Sequence, residues 1–188
     1  MSKIRVYFDF VCPYCYHAWG SLRKLQEQKD ICLEWYGWEI HPEWRNRKAK
    51  EKYAGERARE QFAELGKETG INATTARWDA SSFDALRLLE LAQEQGKADA
   101  WVDRVYTGAY QEEGDMSDRA TLAKWAEEVG LSGAAEVLAG NQYADTLKKH
   151  DQHCTEIALE YVPTLEKDGK IIADGVLTYT DIEKALAQ

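Results

Sequence analysis

The sequence predicts an α/β fold in which the two ends of the chain form one domain and a large all-helical insertion separates them. Three patterns support this prediction: strand–helix–strand over residues 4–38, successive amphipathic helices from about 48 to 161, and strand–strand–helix from 164 onward. We therefore expect a discontinuous domain of residues 1–45 and 160–188 and a helical insertion of residues 46–159. One sheet built from both ends is favoured because a stable sheet needs three or more strands.

The first segment has the pattern of a βαβ unit. Residues 4–8 are rich in β-branched and aromatic side chains, which predicts a strand. A helix is expected to begin at Cys12 or Pro13, because apolar residues recur at helical spacing from position 15 to position 25. Residues 33–38 predict a second strand, and His41-Pro42 follows its end.

The middle of the chain contains helical patterns and no convincing strand. The predicted helices cover residues 48–65, 82–95, 98–112, 118–130, 133–139 and 142–159. Ser117 is the expected N-cap of the fourth of these helices. After Val162-Pro163-Thr164, residues 164–167 and 171–173 predict a hairpin across Asp168-Gly169, a typical type I′ turn. Residues 179–187 predict a closing amphipathic helix.

Composition narrows the classes of partner. The chain has 188 residues, is 44% hydrophobic and carries a formal net charge of −9. A negative surface argues against nucleic acid and against anionic membranes, because both are bound by clustered Lys and Arg. Arg5 and Asp9 interrupt any signal-peptide core, and no apolar stretch is long enough to span a membrane. We therefore expect a cytoplasmic protein.

The four cysteines are Cys12, Cys15, Cys32 and Cys154. A secreted disulfide scaffold of this size would carry more cysteines at wider spacing. One CxxC pair with two isolated cysteines instead indicates a reducing compartment and a working redox pair. Cys32 is expected to be a buried small hydrophobe.

The Cys12-Pro13-Tyr14-Cys15 motif has a direct physical interpretation. Pro13 suits the first position of a helix, where its missing N–H costs nothing, and this places Cys12 at the N-cap. The sulfur is then expected to face the unpaired N–H groups of the first turn, which favour the thiolate. Cys15 lies on the same helix face, close enough for a disulfide. The Cys12 thiolate would attack a substrate disulfide, and Cys15 would resolve the mixed disulfide.

A zinc site is the main alternative use of a CxxC pair. Such sites need a second pair of ligands, and the candidates are His150, His153 and Cys154. His150 and Cys154 lie on the apolar stripe of their predicted helix, so core packing explains them better. We expect no metal.

Two motifs carry a family resemblance. Asp9-Phe10-Val11-Cys12-Pro13-Tyr14-Cys15-Tyr16 follows a short strand, and Tyr161-Val162-Pro163-Thr164 precedes the final hairpin. Together they resemble the DsbA-like thioredoxin-fold proteins, and are most similar to the FrnE-like, or polyketide-biosynthesis-type, dithiol–disulfide isomerases. The resemblance covers essentially the whole chain and implies a thioredoxin-like fold with protein dithiol–disulfide oxidoreductase or isomerase activity.

The resemblance also implies roles for individual residues. It implies a cis peptide bond at Val162-Pro163, lying against the CxxC, with the Val162 backbone binding an extended substrate. Asp9 would be a partly buried acid that relays a proton for Cys15, and a solvated or capping aspartate is the alternative. Pro13 and Tyr14 would support catalysis from within the motif. His17 could tune Cys12 or simply pack, and His41 would shape the floor of the site.

Three functional hypotheses remain open. The first is a disulfide oxidoreductase or isomerase that acts on protein or small-molecule disulfides and dithiols, with no bound cofactor and with glutathione as a candidate electron partner. The second is a glutathione-dependent isomerase or transferase of the 2-hydroxychromene-2-carboxylate isomerase or kappa-class type, whose members typically have serine at the position of Cys12. The third is a redox-sensing adaptor. Tyr161 stands where many relatives have glycine, which would narrow the substrate groove.

Overall fold

The computed structural model describes residues 2–45, 56–73 and 80–187, and the structural statements below refer to these residues. Its mixed four-stranded sheet has the order β2-β1-β3-β4, formed by β1 (Ser2–Phe8), β2 (Ile31–Gly37), β3 (Thr164–Lys167) and β4 (Lys170–Asp174). β1 pairs in parallel with β2 and antiparallel with β3, and β3 and β4 form an antiparallel hairpin. The two ends of the chain therefore meet at the centre of one sheet.

Eight α-helices lie in the described residues. They are α1 (Pro13–Gln26), α2 (Glu56–Leu65), α3 (Phe83–Glu94), α4 (Ala98–Tyr110), α5 (Arg119–Glu128), α6 (Ala134–Ala139), α7 (Ala144–Glu156) and α8 (Tyr179–Leu186). A short 3₁₀ helix, Pro42–Trp44, follows β2. Six of the helices, α2 to α7, lie between β2 and β3 in the chain.

The sheet and the helices share one apolar core. α1 packs against α8 and α8 against β4, while α4 and α7 contact β2. Phe8 of β1 lies with its ring centroid 5.3 Å from that of Trp35 in β2 and 6.2 Å from that of Tyr106 in α4. The buried apolar side chains accordingly form a single cluster that includes the sheet, α1 and the helices between β2 and β3. The division into a discontinuous domain and an insertion stays a prediction.

The predicted α/β fold and the order of its elements are confirmed, and so is the hairpin. Asp168 and Gly169 have φ angles of 51° and 75°, and a type I′ turn requires positive φ at both central residues. β2 begins at Ile31 rather than at residue 33, so Cys32 lies inside an edge strand. There it is half-buried, which corrects the expectation of a buried cysteine.

The start of α5 differs from the prediction, and part of the first predicted helix of the insertion lies outside the described residues. The N-cap of α5 is Asp118 and not Ser117, because the Asp118 carboxylate accepts a hydrogen bond from the Thr121 amide at 2.9 Å. The Ser117 hydroxyl instead donates to Asp115 at 2.6 Å. The helix predicted over residues 48–65 is described from Glu56 onward, and residues 46–55 lie outside the described residues.

Arg87 of α3 is the largest polar group buried among the helices, and no sequence pattern indicates this burial. Its side chain is 1% exposed. The guanidinium donates to Asp84 at 2.6 Å, to the Gln142 carbonyl at 2.8 Å and to the Gly140 carbonyl at 2.7 Å, and it also reaches the Val137 carbonyl. One side chain thus ties α3 to α6 and to the connection between α6 and α7.

Replacing Arg87 with Met should lower the free energy of unfolding by about 3–5 kcal/mol, because buried carbonyls lose their donor and a buried charge pair is broken. Urea unfolding followed by tryptophan fluorescence measures the loss. Arg119→Met is the matched control: Arg119 pairs with the same Asp84 at 2.8 Å but is 60% exposed. That variant should lose less than about 1 kcal/mol. Equal losses in both variants would contradict this account of Arg87.

Candidate active site

The CxxC motif lies where the central strand passes into the first helix. β1 ends at Phe8, and Pro13 is the first residue of α1. Cys12 is the N-cap, with the extended backbone angles φ −85° and ψ 113°. Proline tolerates the first helical position because the amide it lacks has no intrahelical partner there. The local sequence therefore places Cys12 at the N-terminus of α1, as predicted.

The Cys12 sulfur is turned toward a distant segment of the chain. It makes no capping hydrogen bond to the first turn of α1, contrary to expectation. Its thiol instead donates to the Val162 carbonyl, with Sγ and O 3.6 Å apart. Cys12 is 6% exposed, and Cys15 is 2% exposed. Both are free thiols.

Cys15 is a much weaker acid than an ordinary cysteine. Burial raises its pKa well above the usual range, and the hydrogen bond and charge of Cys12 raise it further. A backbone hydrogen bond from Asp9 acts in the opposite direction but does not overcome burial. The two thiols therefore differ in setting. Cys12 contacts the Val162 carbonyl, whereas Cys15 is more deeply buried and holds its proton.

The 161–163 segment forms the other side of the site. The Val162–Pro163 peptide bond is cis. Pro163 is buried, and its carbonyl accepts a hydrogen bond from the Gly175 amide at 2.9 Å. The Thr164 hydroxyl donates to the Tyr161 carbonyl at 2.6 Å. These bonds hold the segment beside Cys12 at the start of β3, while the Tyr161 side chain remains 56% exposed.

Asp9 is a fully buried acid and is neither solvated nor only partly buried. Its carboxylate accepts hydrogen bonds from the Ile40 amide at 2.8 Å and from the Val11 amide at 3.4 Å, and the Ser82 side chain also bonds to it. Burial raises the pKa of Asp9 to about 6, although these hydrogen bonds lower it. The side chain is 0% exposed. Asp9 is therefore a buried carboxyl group with a raised pKa, and its charge acts on the Cys15 thiol.

Two tyrosines of α4 hold the loop that carries Asp9, and no sequence motif identifies them as residues of the site. The Tyr110 hydroxyl donates to the Phe10 carbonyl at 2.8 Å, and the Tyr106 hydroxyl donates to the Asp9 carbonyl at 3.5 Å. Tyr110 also stacks on Tyr16 of α1, with ring centroids 4.4 Å apart. Their spacing of four residues signals a shared helix face, but nothing in the sequence identifies what the hydroxyls bind.

Tyr14 and His17 face α2. The Tyr14 hydroxyl donates to Gln61 at 2.9 Å, and the His17 ring stacks on Phe62 with centroids 5.3 Å apart. Both ring nitrogens of His17 are buried without a hydrogen-bond partner in the described structure, and burial lowers its pKa to about 4. His41 stacks on Trp44 with ring centroids 3.8 Å apart, and its place on the floor of the site stays a prediction. His17 and His41 thus pack against aromatic rings.

A cleft of about 530 Å³ opens beside Cys12. Its lining residues are Cys12, Trp38, Glu39, Ile40, Pro42, Asp151, Glu160, Tyr161 and Val162. Sites for small ligands commonly measure roughly 300–1,000 Å³. The cleft therefore has the size for a short peptide segment at the sulfur of Cys12.

The histidines that are candidate zinc ligands have other partners. His150 Nδ1 lies 3.0 Å from the Gly37 carbonyl, and His153 Nε2 lies 3.2 Å from the Tyr7 hydroxyl. Within residues 2–45, 56–73 and 80–187, no three His, Cys, Asp or Glu side chains come together as metal ligands.

No helix in the described residues is long and apolar enough to cross a membrane.

The sheet order, the helix that starts at the CxxC and the proline segment opposite it define a thioredoxin-like α/β protein. More narrowly, the chain belongs to the DSBA-like thioredoxin domain family, whose profile matches residues 3–187.

Individual relatives agree with this assignment. The chain is 30% identical over 185 residues to the uncharacterized protein YwbO of Bacillus subtilis (strain 168), covering 93% of this chain and 88% of that one. The fold is similar to a probable DsbA oxidoreductase of Streptomyces coelicolor, with a TM-score of 0.82, 22% identity and coverage of 100% and 89%.

Two further solved structures share the fold at lower identity. A 2-hydroxychromene-2-carboxylate isomerase matches with a TM-score of 0.74, 15% identity and coverage of 98% and 94%. The cytosolic disulfide reductase DsbM of Pseudomonas aeruginosa, solved with GSH, matches with a TM-score of 0.68, 16% identity and coverage of 99% and 100%. At these identities the similarity supports the fold.

The buried Asp9 should make stability depend on pH. Its pKa is about 6 when folded, against an ordinary value of 3.8, so the folded state binds this proton more tightly than the unfolded state. The resulting stabilisation is complete below pH 3.8 and is lost as pH rises through 6. Relative to wild type, Asp9→Asn should therefore gain roughly 2.5 kcal/mol of unfolding free energy between about pH 4 and pH 7.5.

Urea unfolding at the two pH values measures this difference. Asp168→Asn, at an exposed turn position, is the control and should keep a difference from wild type that is constant within about 0.5 kcal/mol. A pH-independent difference for Asp9→Asn would show that Asp9 does not hold its proton as described.

Proposed function

We propose that this protein is a thiol–disulfide oxidoreductase or isomerase, of the FrnE-like branch, that acts through Cys12 and Cys15. The observation that carries the proposal is the asymmetry of the two thiols. Cys12 lies at a helix N-terminus and lines a cleft, with its sulfur 3.6 Å from the Val162 carbonyl. Cys15 is buried behind it and holds its proton strongly. A nucleophile and a resolving thiol require this arrangement.

In the first step, the Cys12 thiolate attacks one sulfur of a substrate disulfide. A bond forms between Cys12 and that sulfur, the substrate S–S bond breaks, and the second substrate sulfur leaves and takes up a proton. Cys15 then loses its proton and attacks the Cys12 sulfur, which releases the first substrate sulfur as a thiol. The substrate gains two electrons and two protons, and the Cys12–Cys15 disulfide remains. The reverse sequence oxidises a substrate dithiol.

Asp9 supplies the acid–base partner for the second step in this proposal. The negative charge of Asp9 helps to raise the pKa of Cys15, which indicates that the two groups are close. With a pKa raised to about 6, Asp9 is ionised at neutral pH yet basic enough to accept a proton. Pro13 and Tyr14 position the motif at the start of α1. The Val162 backbone binds the substrate chain next to the sulfur.

Glutathione is the electron partner in this proposal, in a reducing, cytoplasmic setting. The DsbM structure with GSH supports a glutathione site on this fold. The pattern of one CxxC pair and two isolated cysteines supports a reducing compartment. Protein or small-molecule disulfides are then the substrates.

A glutathione-dependent isomerase is the second candidate, favoured by the similarity to the 2-hydroxychromene-2-carboxylate isomerase fold. Glutathione-dependent isomerisation does not require a second cysteine that resolves a mixed disulfide. Isomerase turnover that persists in Cys15→Ser would favour this candidate, whereas the leading proposal requires both cysteines.

Cys12→Ser should abolish reduction of a small neutral disulfide such as hydroxyethyl disulfide, because serine is not a comparable nucleophile. Cys15→Ser should instead accumulate a mixed disulfide on Cys12, because nothing resolves it. Single-turnover mass spectrometry after thiol trapping measures both outcomes. Cys32→Ala, at the half-buried cysteine of β2, is the control and should retain wild-type turnover.

Titration against glutathione buffers provides the equilibrium test. A reversible two-electron couple that belongs to Cys12 and Cys15, and that persists in Cys32→Ala, is expected. Wild-type turnover by Cys12→Ser, or no Cys12–Cys15 disulfide over the accessible range, would overturn the proposal.

A further inference from the structure

We propose that the cleft beside Cys12 selects positively charged substrates: extended peptide segments with Lys or Arg next to the disulfide-bonded cysteine. This inference rests on the proposed function, because it assigns a substrate class to the same thiol. The evidence is the aromatic and acidic residues that line the cleft, together with which of the carboxylates are paired with a basic side chain.

Two aromatic side chains, Trp38 and Tyr161, line the cleft. Trp38 follows β2, and its indole N–H donates to the Asp151 carboxylate of α7 at 3.1 Å. Tyr161 precedes the Val162–Pro163 bond and is 56% exposed. The aliphatic stem of a Lys or Arg side chain packs well on such rings, and its charge is attracted to their faces.

Three carboxylates line the same cleft, and one of them is already neutralised. Glu39 is 7% exposed and is bound by Arg45, whose Nε–H is shared between the two carboxylate oxygens at 3.0 and 2.9 Å while Nη2 donates to Oε2 at 2.5 Å. Arg45 also lies over the Phe83 ring, which holds it in place. The pair of Glu39 and Arg45 therefore contributes little net charge to the cleft.

The other two carboxylates, Asp151 and Glu160, give the cleft its negative charge. Both side chains are exposed, and neither forms an ion pair in the described part of the chain. Lys148, on the same helix as Asp151, is paired with Asp145 at 2.8 Å. No Lys or Arg lines the cleft in the described ranges. Arg45, which is bound to Glu39, is close enough for its charge to act on Asp151 as well, so three carboxylates and one cation leave the cleft with a net negative charge.

These charges discriminate among disulfides through complementarity. A cationic side chain beside the substrate cysteine gains attraction on approach, and an anionic one is repelled. Glutathione disulfide carries two carboxylates for each ammonium group, so it is disfavoured relative to a cationic peptide. Val162 offers its carbonyl next to the sulfur, where an extended peptide has amide donors to pair with it.

The chemistry is the first exchange described above. The Cys12 thiolate attacks the peptide sulfur, a Cys12–peptide bond forms, the peptide–cap S–S bond breaks, and the cap leaves as a thiol with one proton. Cys15 then displaces the peptide thiol and closes the Cys12–Cys15 disulfide. The protein is oxidised by two electrons, and the mixed disulfide that entered is reduced by two.

The test uses the full chain, so that the basic residues of 46–55, which lie outside the described residues, are included. Pre-reduced protein is mixed with acetyl-Ala-Xaa-Cys-Xaa-Ala-amide, capped as the disulfide of 2-mercaptoethanol, in which Xaa is Lys, Gln or Glu. Each second-order rate constant is divided by that of the same peptide with dithiothreitol, which removes intrinsic differences in disulfide reactivity. Oxidised glutathione is measured in the same way.

The normalised rates should fall in the order Lys, Gln, Glu, with at least about a fivefold difference between Lys and Glu at low salt. The difference should shrink in 0.5 M NaCl, since salt screens exposed charges. Oxidised glutathione should react more slowly than the Lys peptide.

The double variant Asp151→Asn/Glu160→Gln should reduce the Lys-to-Glu ratio to less than about twofold, while the amide oxygen introduced by Asp151→Asn can still accept the hydrogen bond from Trp38. The control Glu127→Gln/Asp168→Asn removes the same two charges from exposed positions outside the cleft and should keep the wild-type ratio. Equal normalised rates for the Lys and Glu peptides, or an unchanged ratio in the cleft variant, would overturn the charge selectivity. Failure of the neutral Gln peptide to oxidise Cys12 and Cys15 would instead overturn the proposed function.

Discussion

The pairing of β1 with β3 is the constraint on which the site depends. Tyr7 and Thr164 are partners in this antiparallel ladder, although more than 150 residues separate them in the chain. The residues that follow β1 carry Cys12, and the residues that precede β3 carry Val162. The strands run in opposite directions, so the segment that leaves one and the segment that enters the other lie at the same end of the sheet. The contact between Cys12 and the Val162 carbonyl is a direct result of that pairing.

Two of the helices between β2 and β3 position the residues around the contact of Cys12 with the Val162 carbonyl. From one side, Tyr106 and Tyr110 of α4 bond the carbonyls of Asp9 and Phe10 and fix the loop that leads to Cys12. From the other, α7 places Asp151 against Trp38 and so sets one wall of the cleft. The backbone of the CxxC motif and the shape of its cleft are therefore determined largely by residues outside the βαβ unit that contains it.

Local rules predict the separate helices and strands and the position of the cysteine pair, whereas the single sheet built from both chain ends is predicted from the need for three or more strands and from the family resemblance. Hydrophobic periodicity located the helices, and proline after Cys12 fixed the start of α1. Side-chain contacts between residues far apart in the sequence are beyond local rules. Burial of Asp9 depends on Ile40 and Ser82, and burial of Arg87 depends on three backbone carbonyls near α6. The N-cap of α5 lies one residue after the predicted position because Ser117 and Asp118 are both good capping residues, and only the three-dimensional course of the chain distinguishes them.

The long-range pairing of β1 with β3 also has a consequence for how the chain is made. A ribosome releases the segment with Cys12 and Cys15 first and the segment with Val162 last, and at about 5–20 residues per second the interval is on the order of ten seconds. During this interval the sheet lacks β3 and β4, so the two thiols have no partner segment to cover them. In a nascent chain the two thiols can therefore react with any disulfide, because the cleft proposed to discriminate among disulfides has not yet formed. A reducing environment during synthesis protects the cysteine pair until the carboxyl-terminal hairpin docks.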